Sequence, residues 1–241
     1  MRDQERRLTA VPWTVFLFLA AALALQVSWA LHRGAPSARA AALPEPPSLS
    51  ILKVVSLGQP EVLARILMLW LQAFDYQPGI SIAFRDLDYQ RVEAWLARML
   101  ELDPGFQYPL LAASRLYGEV ADPDKQRRMV AFVAARFDED PARRWQWLAH
   151  AVYIAKHRLV DLDYALRLAR QLANADDGAA IPNWARQMHI FVLEDMGEIE
   201  SAKVLLGGLL DSGEVTDPRE RWFLSQRLAE LEQRVAEEAA D

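Results

Sequence analysis

The stretch ADPDKQRRMVAFVAARFDEDPARRWQWLAHAVYIAKH, residues 121 to 157, decides the fold. It holds two Asp-Pro pairs, Asp122-Pro123 and Asp140-Pro141, each followed by apolar side chains spaced three and four apart. An aspartate before a proline suits a helix start, because the carboxylate caps an orphan amide and the ring fits the first turn. The spacing therefore predicts helices over 123–137 and 141–157, joined by a short turn.

The same pair stands at Asp103-Pro104 and Asp217-Pro218. The first three aspartates are 19 and 18 residues apart, and the step from Asp140 to Asp217 is 77, close to four such half-units. A helix-pair period of about 37 follows. Further helices are expected near 60–74, 88–101, 107–119, 161–173, 182–196, 198–210 and 218–238. Apolar stripes mark them, such as Val62, Ile66 and Leu69, with Leu63, Trp70 and Phe74, in the first, and Val92, Trp95, Leu96, Met99 and Leu102 in the second. A short helix pair cannot bury its own stripe, so pairs must stack into a continuous core with an extended surface. The expected fold is all-α: a solenoid of about four helix pairs over 54–217 and a capping helix over 218–241. In the cap, Leu224, Leu228, Leu231 and Val235 share one face, and Asp217 with Glu220 makes a capping box.

Upstream, Val11 to Leu31 carries no charge, and a helix of that length spans about 31 Å, the thickness of a bilayer's hydrocarbon core. Trp13 and Trp29 lie near its ends, where indoles favour the headgroup level. A cleaved secretory signal is the alternative, with Arg2, Arg6 and Arg7 as its basic region, but the run is long for a signal core and ends at His32 and Arg33. Three arginines before the span against Arg33 and Arg39 after it point to a cytoplasmic tail, residues 1–10, and an outward-facing bulk. In a bacterium that is a periplasmic domain on an inner-membrane anchor. Residues 32–53, rich in proline and alanine, read as a semi-stiff linker, with about 50 Å of reach for the proline-rich part if fully extended.

Composition narrows the function classes. The 241 residues have no cysteine, which excludes disulfides, thiolate metal sites and thiol nucleophiles. The net charge of -6 is mixed along the chain, giving no nucleic-acid footprint. No phosphate loop, nucleophile elbow or dinucleotide fingerprint occurs, so no cofactor is expected. His150 and His157 lie two turns apart on one helix face, and His189 stands alone, so no metal site is assigned.

Gly197 and Ala202, five apart, with Leu206 and Leu209 following, resemble the turn glycine and packed alanine of a tetratricopeptide repeat. Trp147, Ala165 and Ala169 offer a looser match in the preceding unit. The strings Ser56-Leu57-Gly58, Leu67 to Phe74 and Leu102 to Phe106 are similar to the opening of certain bacterial membrane-anchored tetratricopeptide proteins. The resemblance implies architecture and topology and imports no activity; the expected function is a membrane-anchored scaffold or assembly factor that holds other proteins.

Arginine beside tryptophan is enriched at recognition hot spots, so Arg127, Arg128, Arg143, Arg144 and Trp145 are the candidate protein-binding residues. The segment Asp75 to Asp86, with Ile80, Ile82 and Phe84 alternating, either binds a partner or packs down over the first helix pair. Gly207-Gly208 inside a helix predicts close helix approach as its compensation. Two rival functions remain: an envelope hydrolase using carboxylates around Glu194, and a cytoplasm-facing regulator of a membrane complex.

Overall fold

A computed structural model describes residues 12–32, 40–77, 79–176, 178, 180–213 and 215–238. The described chain is predominantly helical and divides into two units, 1–41 with 76–82, and 42–75 with 83–241.

In the first unit, α1 (Trp13–His32) is a single apolar helix, long and apolar enough to cross a membrane, with none of its residues buried. Val11, the basic tail and Arg33 and Arg39, on which the orientation argument rests, lie outside the described residues. A two-stranded antiparallel hairpin, β1 (Tyr76–Gln77) and β2 (Ile80–Ser81), completes the unit, and the Gln77 amide clasps the backbone of Ala41 from both sides.

The second unit is a succession of helices: α2 (Leu49–Val55), α3 (Pro60–Gln72), α4 (Tyr89–Leu102), α5 (Tyr108–Arg115), α6 (Pro123–Phe137), α7 (Pro141–His157), α8 (Leu162–Ala173), α9 (Asn183–Arg186), α10 (Met188–Asp195), α11 (Ile199–Ser212) and α12 (Pro218–Glu238). Substantial packing joins each helix to the next one or two in the chain, as in α3 on α4, α6 on α7, α7 on α8 and α11 on α12. The core runs through these seams: Leu96, Met99, Leu110, Met129, Phe137, Leu148, Ile154 and Leu172 are sealed from solvent. Ala112, Ala151, Ala165, Ala169 and Ala202 have no exposed surface, small side chains that let neighbouring helices approach closely.

Local chemistry accounts for most boundaries. Asp122, Asp140 and Asp217 each accept amide hydrogens from the first turn of the helix they precede, and Pro123, Pro141 and Pro218 open those helices. Asp103 departs from this pattern. It ends α4, its carboxylate accepts from Gly105 N and from Arg65, and α5 begins only at Tyr108. Glu220 does not close the capping box, because it accepts a hydrogen bond from Gln187 of the turn before α10. Gly118 is required by close approach: a Cβ there would sit 2.8 Å from the Ala113 carbonyl oxygen and 3.0 Å from Ile154 Cδ1.

Further expectations are corrected. The linker is shorter than 32–53, because Leu43 is buried, its carbonyl accepts from Arg91, the Pro44 carbonyl accepts from Trp95 Nε1 at 2.8 Å, and α2 starts at Leu49. Proline-rich backbone presents carbonyls that no helix consumes, so α4 side chains can pin it. The helix expected over 182–196 is broken at Gln187 into α9 and α10. In α3 the buried stripe is Ala64, Met68 and Leu71, whereas Val62, Ile66 and Leu69 face solvent. Gly207 and Gly208 have nothing within 4 Å of where a side chain would start, so no helix packs closely on them. The segment after the hairpin, a 3-10 turn at Phe84–Asp86, sets Phe84 edge-on against the buried Tyr117 ring at 5.7 Å.

Candidate docking surface

The arginines of α6 and α7 were expected together, and the structure sends them to different tasks. Arg127 reaches Asp161, the N-cap of α8, at 2.7 Å, and its guanidinium lies near the Tyr164 ring. That bond, with an amide hydrogen from Tyr164, holds the Asp161 carboxyl below its ordinary range. Arg128 bridges to Glu93 of α4 at 2.8 Å, and Arg143 pairs with the cap of its own helix, Asp140. All three remain solvent-accessible, so a partner's carboxylate could engage them only by sharing or displacing these acids.

Arg144 is a correction. It is 1% exposed rather than on the surface, and its guanidinium donates to the main-chain oxygens of Arg136 and Pro104 and to Glu139 at 2.6 Å. A planar fork satisfies two carbonyls and a carboxylate at a three-segment junction, which explains an arginine in the core. Trp145 stands half-buried with its ring edge-on to the exposed Trp184 of α9 at 5.4 Å. Trp184 was not singled out by sequence, and its only signal was an aromatic next to a helix-starting Pro-Asn pair.

Farther along α7, Tyr153 lies between the two histidines, stacked on His150 at 5.5 Å and tilted at 46° to His157 at 4.8 Å. His150 Nε2 is 3.0 Å from Glu119, which also accepts from Arg158. Burial, reinforced by the nearby Arg115 charge, pushes the His150 imidazole below its usual value despite that carboxylate. Among the described residues no three histidine or acidic side chains gather as a metal site requires.

Sequence reasoning missed a solvent-open groove of about 690 Å³ on the C-terminal helices. Leu166 and Arg170 of α8, Leu193 at the end of α10, and Val204 and Leu205 of α11 line it. Such a volume is in the range that takes a compact ligand or a few side chains of a peptide. It forms because α11 turns its buried stripe, Ile199, Ala202 and Leu206, inward and leaves Val204 and Leu205 outward.

Glu194, the centre of the hydrolase alternative, faces the terminal helix. Its side chain is 9% exposed and is bound by Arg227 through two bonds and by Arg234 at 3.1 Å. The neighbouring Asp195 pairs with Lys156 of α7. Both carboxylates tie helices together. Compared with protein families, curated proteins and solved structures, the chain matches none of them.

Proposed function

We propose that this chain is a tetratricopeptide-like helical-repeat scaffold, anchored by α1 in the bacterial inner membrane with its helical unit in the periplasm, which holds a protein partner. The observation that carries the reading is a recurring offset in many of the bonds between helices. Arg128 meets Glu93, Arg127 meets Asp161, Gln171 meets Asp138, Trp147 meets Gln107 and Arg227 meets Glu194, at sequence separations of 33 to 40 residues. A solenoid built from one repeated helix pair joins each unit to the next in this way. Gly197, at φ +80°, and the fully buried Ala202 stand in the turn and packing positions on which the resemblance rests.

The α8–α11 groove is the surface we assign to the partner, with an apolar floor for a helical or extended peptide. The use of Glu194 and Asp195 as helix ties favours holding over hydrolysis. The test is a photo-crosslinking residue at Leu205 in the full chain, with Trp222 as the control position. One specific adduct from Leu205 that disappears on Val204→Asp supports the reading, and equal, diffuse labelling from both positions rejects it. A reporter active only outside the cytoplasm, fused after Asp241, tests the sidedness: an inactive fusion beside an active cytoplasmic one reverses it.

A further inference from the structure

Helices α2 and α3 expose more apolar surface than any burial requirement explains. Ile51, Val54 and Val55 line the outer side of α2 while Leu52 points inward. Val62, Ile66 and Leu69 form a stripe on α3 opposite the buried Ala64, Met68 and Leu71. Leu57, at the bend between the two helices, is 90% exposed and held at φ +50°. That is a left-handed backbone region that a leucine rarely adopts. Scattered exposed apolar residues are ordinary, but six on two consecutive helices with a seventh at the bend between them mark an interaction surface.

We propose that this face lies on the surface of the lipid bilayer, with α2 and α3 seated at the headgroup boundary. The inference rests on the reading of α1 as a membrane span. Covalent geometry supplies the argument for lipid as the occupant. Only residues 33 to 41 separate the end of α1 from the start of the second unit, and such a tether reaches at most about 30 Å. Leu43 and Pro44 are then fastened to α4, so the tether cannot lengthen by peeling off without breaking those bonds. The helix that follows, α2, packs on that same α4. Along the chain, the apolar face thus belongs to the first helices of the second unit, joined to the anchor by no more than those nine residues and the pinned segment. Taken together, α2 and α3 are apolar enough to meet the hydropathy of a membrane segment, yet they bend by 108°, and α2 buries Leu52 while α3 buries Ala64, Met68 and Leu71. That combination suits helices lying in an interface rather than crossing it. Lys53, exposed in the last turn of α2, can extend its ammonium to lipid phosphates.

The absence of native cysteine makes the test direct. Full-length chains carrying Leu23→Cys, Val54→Cys, Ile66→Cys or Trp222→Cys are labelled with an environment-sensitive fluorophore and reconstituted into vesicles of phosphatidylcholine and phosphatidylglycerol. Lipids bearing a nitroxide near the headgroup or deep in the chain are then added. Val54 and Ile66 should lose about half of their emission to the shallow nitroxide, at the depth of an interfacial helix. Leu23 should respond to the deep nitroxide, and Trp222 to neither. Quenching at Leu23 without quenching at Val54 and Ile66 overturns the docking while leaving the span intact. An unquenched Leu23 means the spanning reading has failed, and the docking falls with it. Blue-shifted but unquenched labels at Val54 and Ile66, with disulfide formation between unlabelled copies, would make a second chain the occupant and overturn the proposal.

Discussion

The Glu194 carboxylate is gripped by the Arg227 guanidinium through two hydrogen bonds, so that an acid in the tenth helix fastens the last helix to the unit before it. Arg227 also binds Glu230 one turn on, which orients the guanidinium before it meets Glu194. Charge-assisted bonds of this kind contribute about 1–2 kcal/mol once the partial exposure of Arg227 is allowed for. Arg227→Ala should therefore loosen α12 first. Hydrogen exchange should quicken over residues 218–238 while α4 to α8 keep their protection, and uniform quickening would contradict a local tie.

Arg144 carries a larger penalty because its guanidinium is buried among two carbonyls and a carboxylate. Arg144→Ala strands those carbonyls and leaves a void, so a loss of about 3 kcal/mol is expected from urea unfolding followed by circular dichroism. Arg144→Lys should recover little, since a single ammonium cannot span three acceptors. A surface role would predict near-neutral values for both variants.

Gly207 and Gly208 sit in α11 with open space where a side chain would start. Each glycine costs a helix interior about 1 kcal/mol relative to alanine. Gly207→Ala with Gly208→Ala should raise the unfolding midpoint. A lowered midpoint would show that a helix does approach them closely.

His150 and His189 give the fold an acid-sensitive component. Burial lowers the His150 imidazole most, with Arg115 adding to it and Glu119 opposing. For His189 burial again leads, partly offset by its bond to the Arg186 carbonyl. The fold thus prefers both rings neutral, whereas the unfolded chain takes up protons as pH drops through 6.5. Below that pH the unfolded state binds more protons, so stability is full above it and declines as pH falls towards the depressed folded values. Urea midpoints should fall between about pH 7.5 and about 5.5, and by less in His150→Gln. The acids with lowered values, Asp161 and Glu139, lose their contribution only at still lower pH, outside this window. An equal fall in wild type and His150→Gln would remove His150 from the account.

Much of the fold was legible because its signals act within one or two turns. Aspartate caps and prolines mark where α6, α7 and α12 begin, apolar periodicity marks how far they run, and the uncharged run marks α1. These depend on neighbouring residues alone, so the linear chain determines them. The candidate site was less legible. Arg127, Arg128, Arg143 and Arg144 look alike in sequence, yet one is sealed in a junction and the others meet acids as far as 35 residues away or on the adjoining turn.

Which side of α3 is buried, where the linker stops being free and where the groove opens were decided only by tertiary structure. Helix α3 is apolar on both sides, so its periodicity is satisfied whether Met68 or Ile66 turns inward. The choice fell to tertiary packing: α3 packs on α4 and buries Ala64, Met68 and Leu71, while the other stripe stays exposed. Local patterning can say that a helix forms. The face it buries is set by the shape of whatever packs against it, and no local stretch of sequence contains that shape.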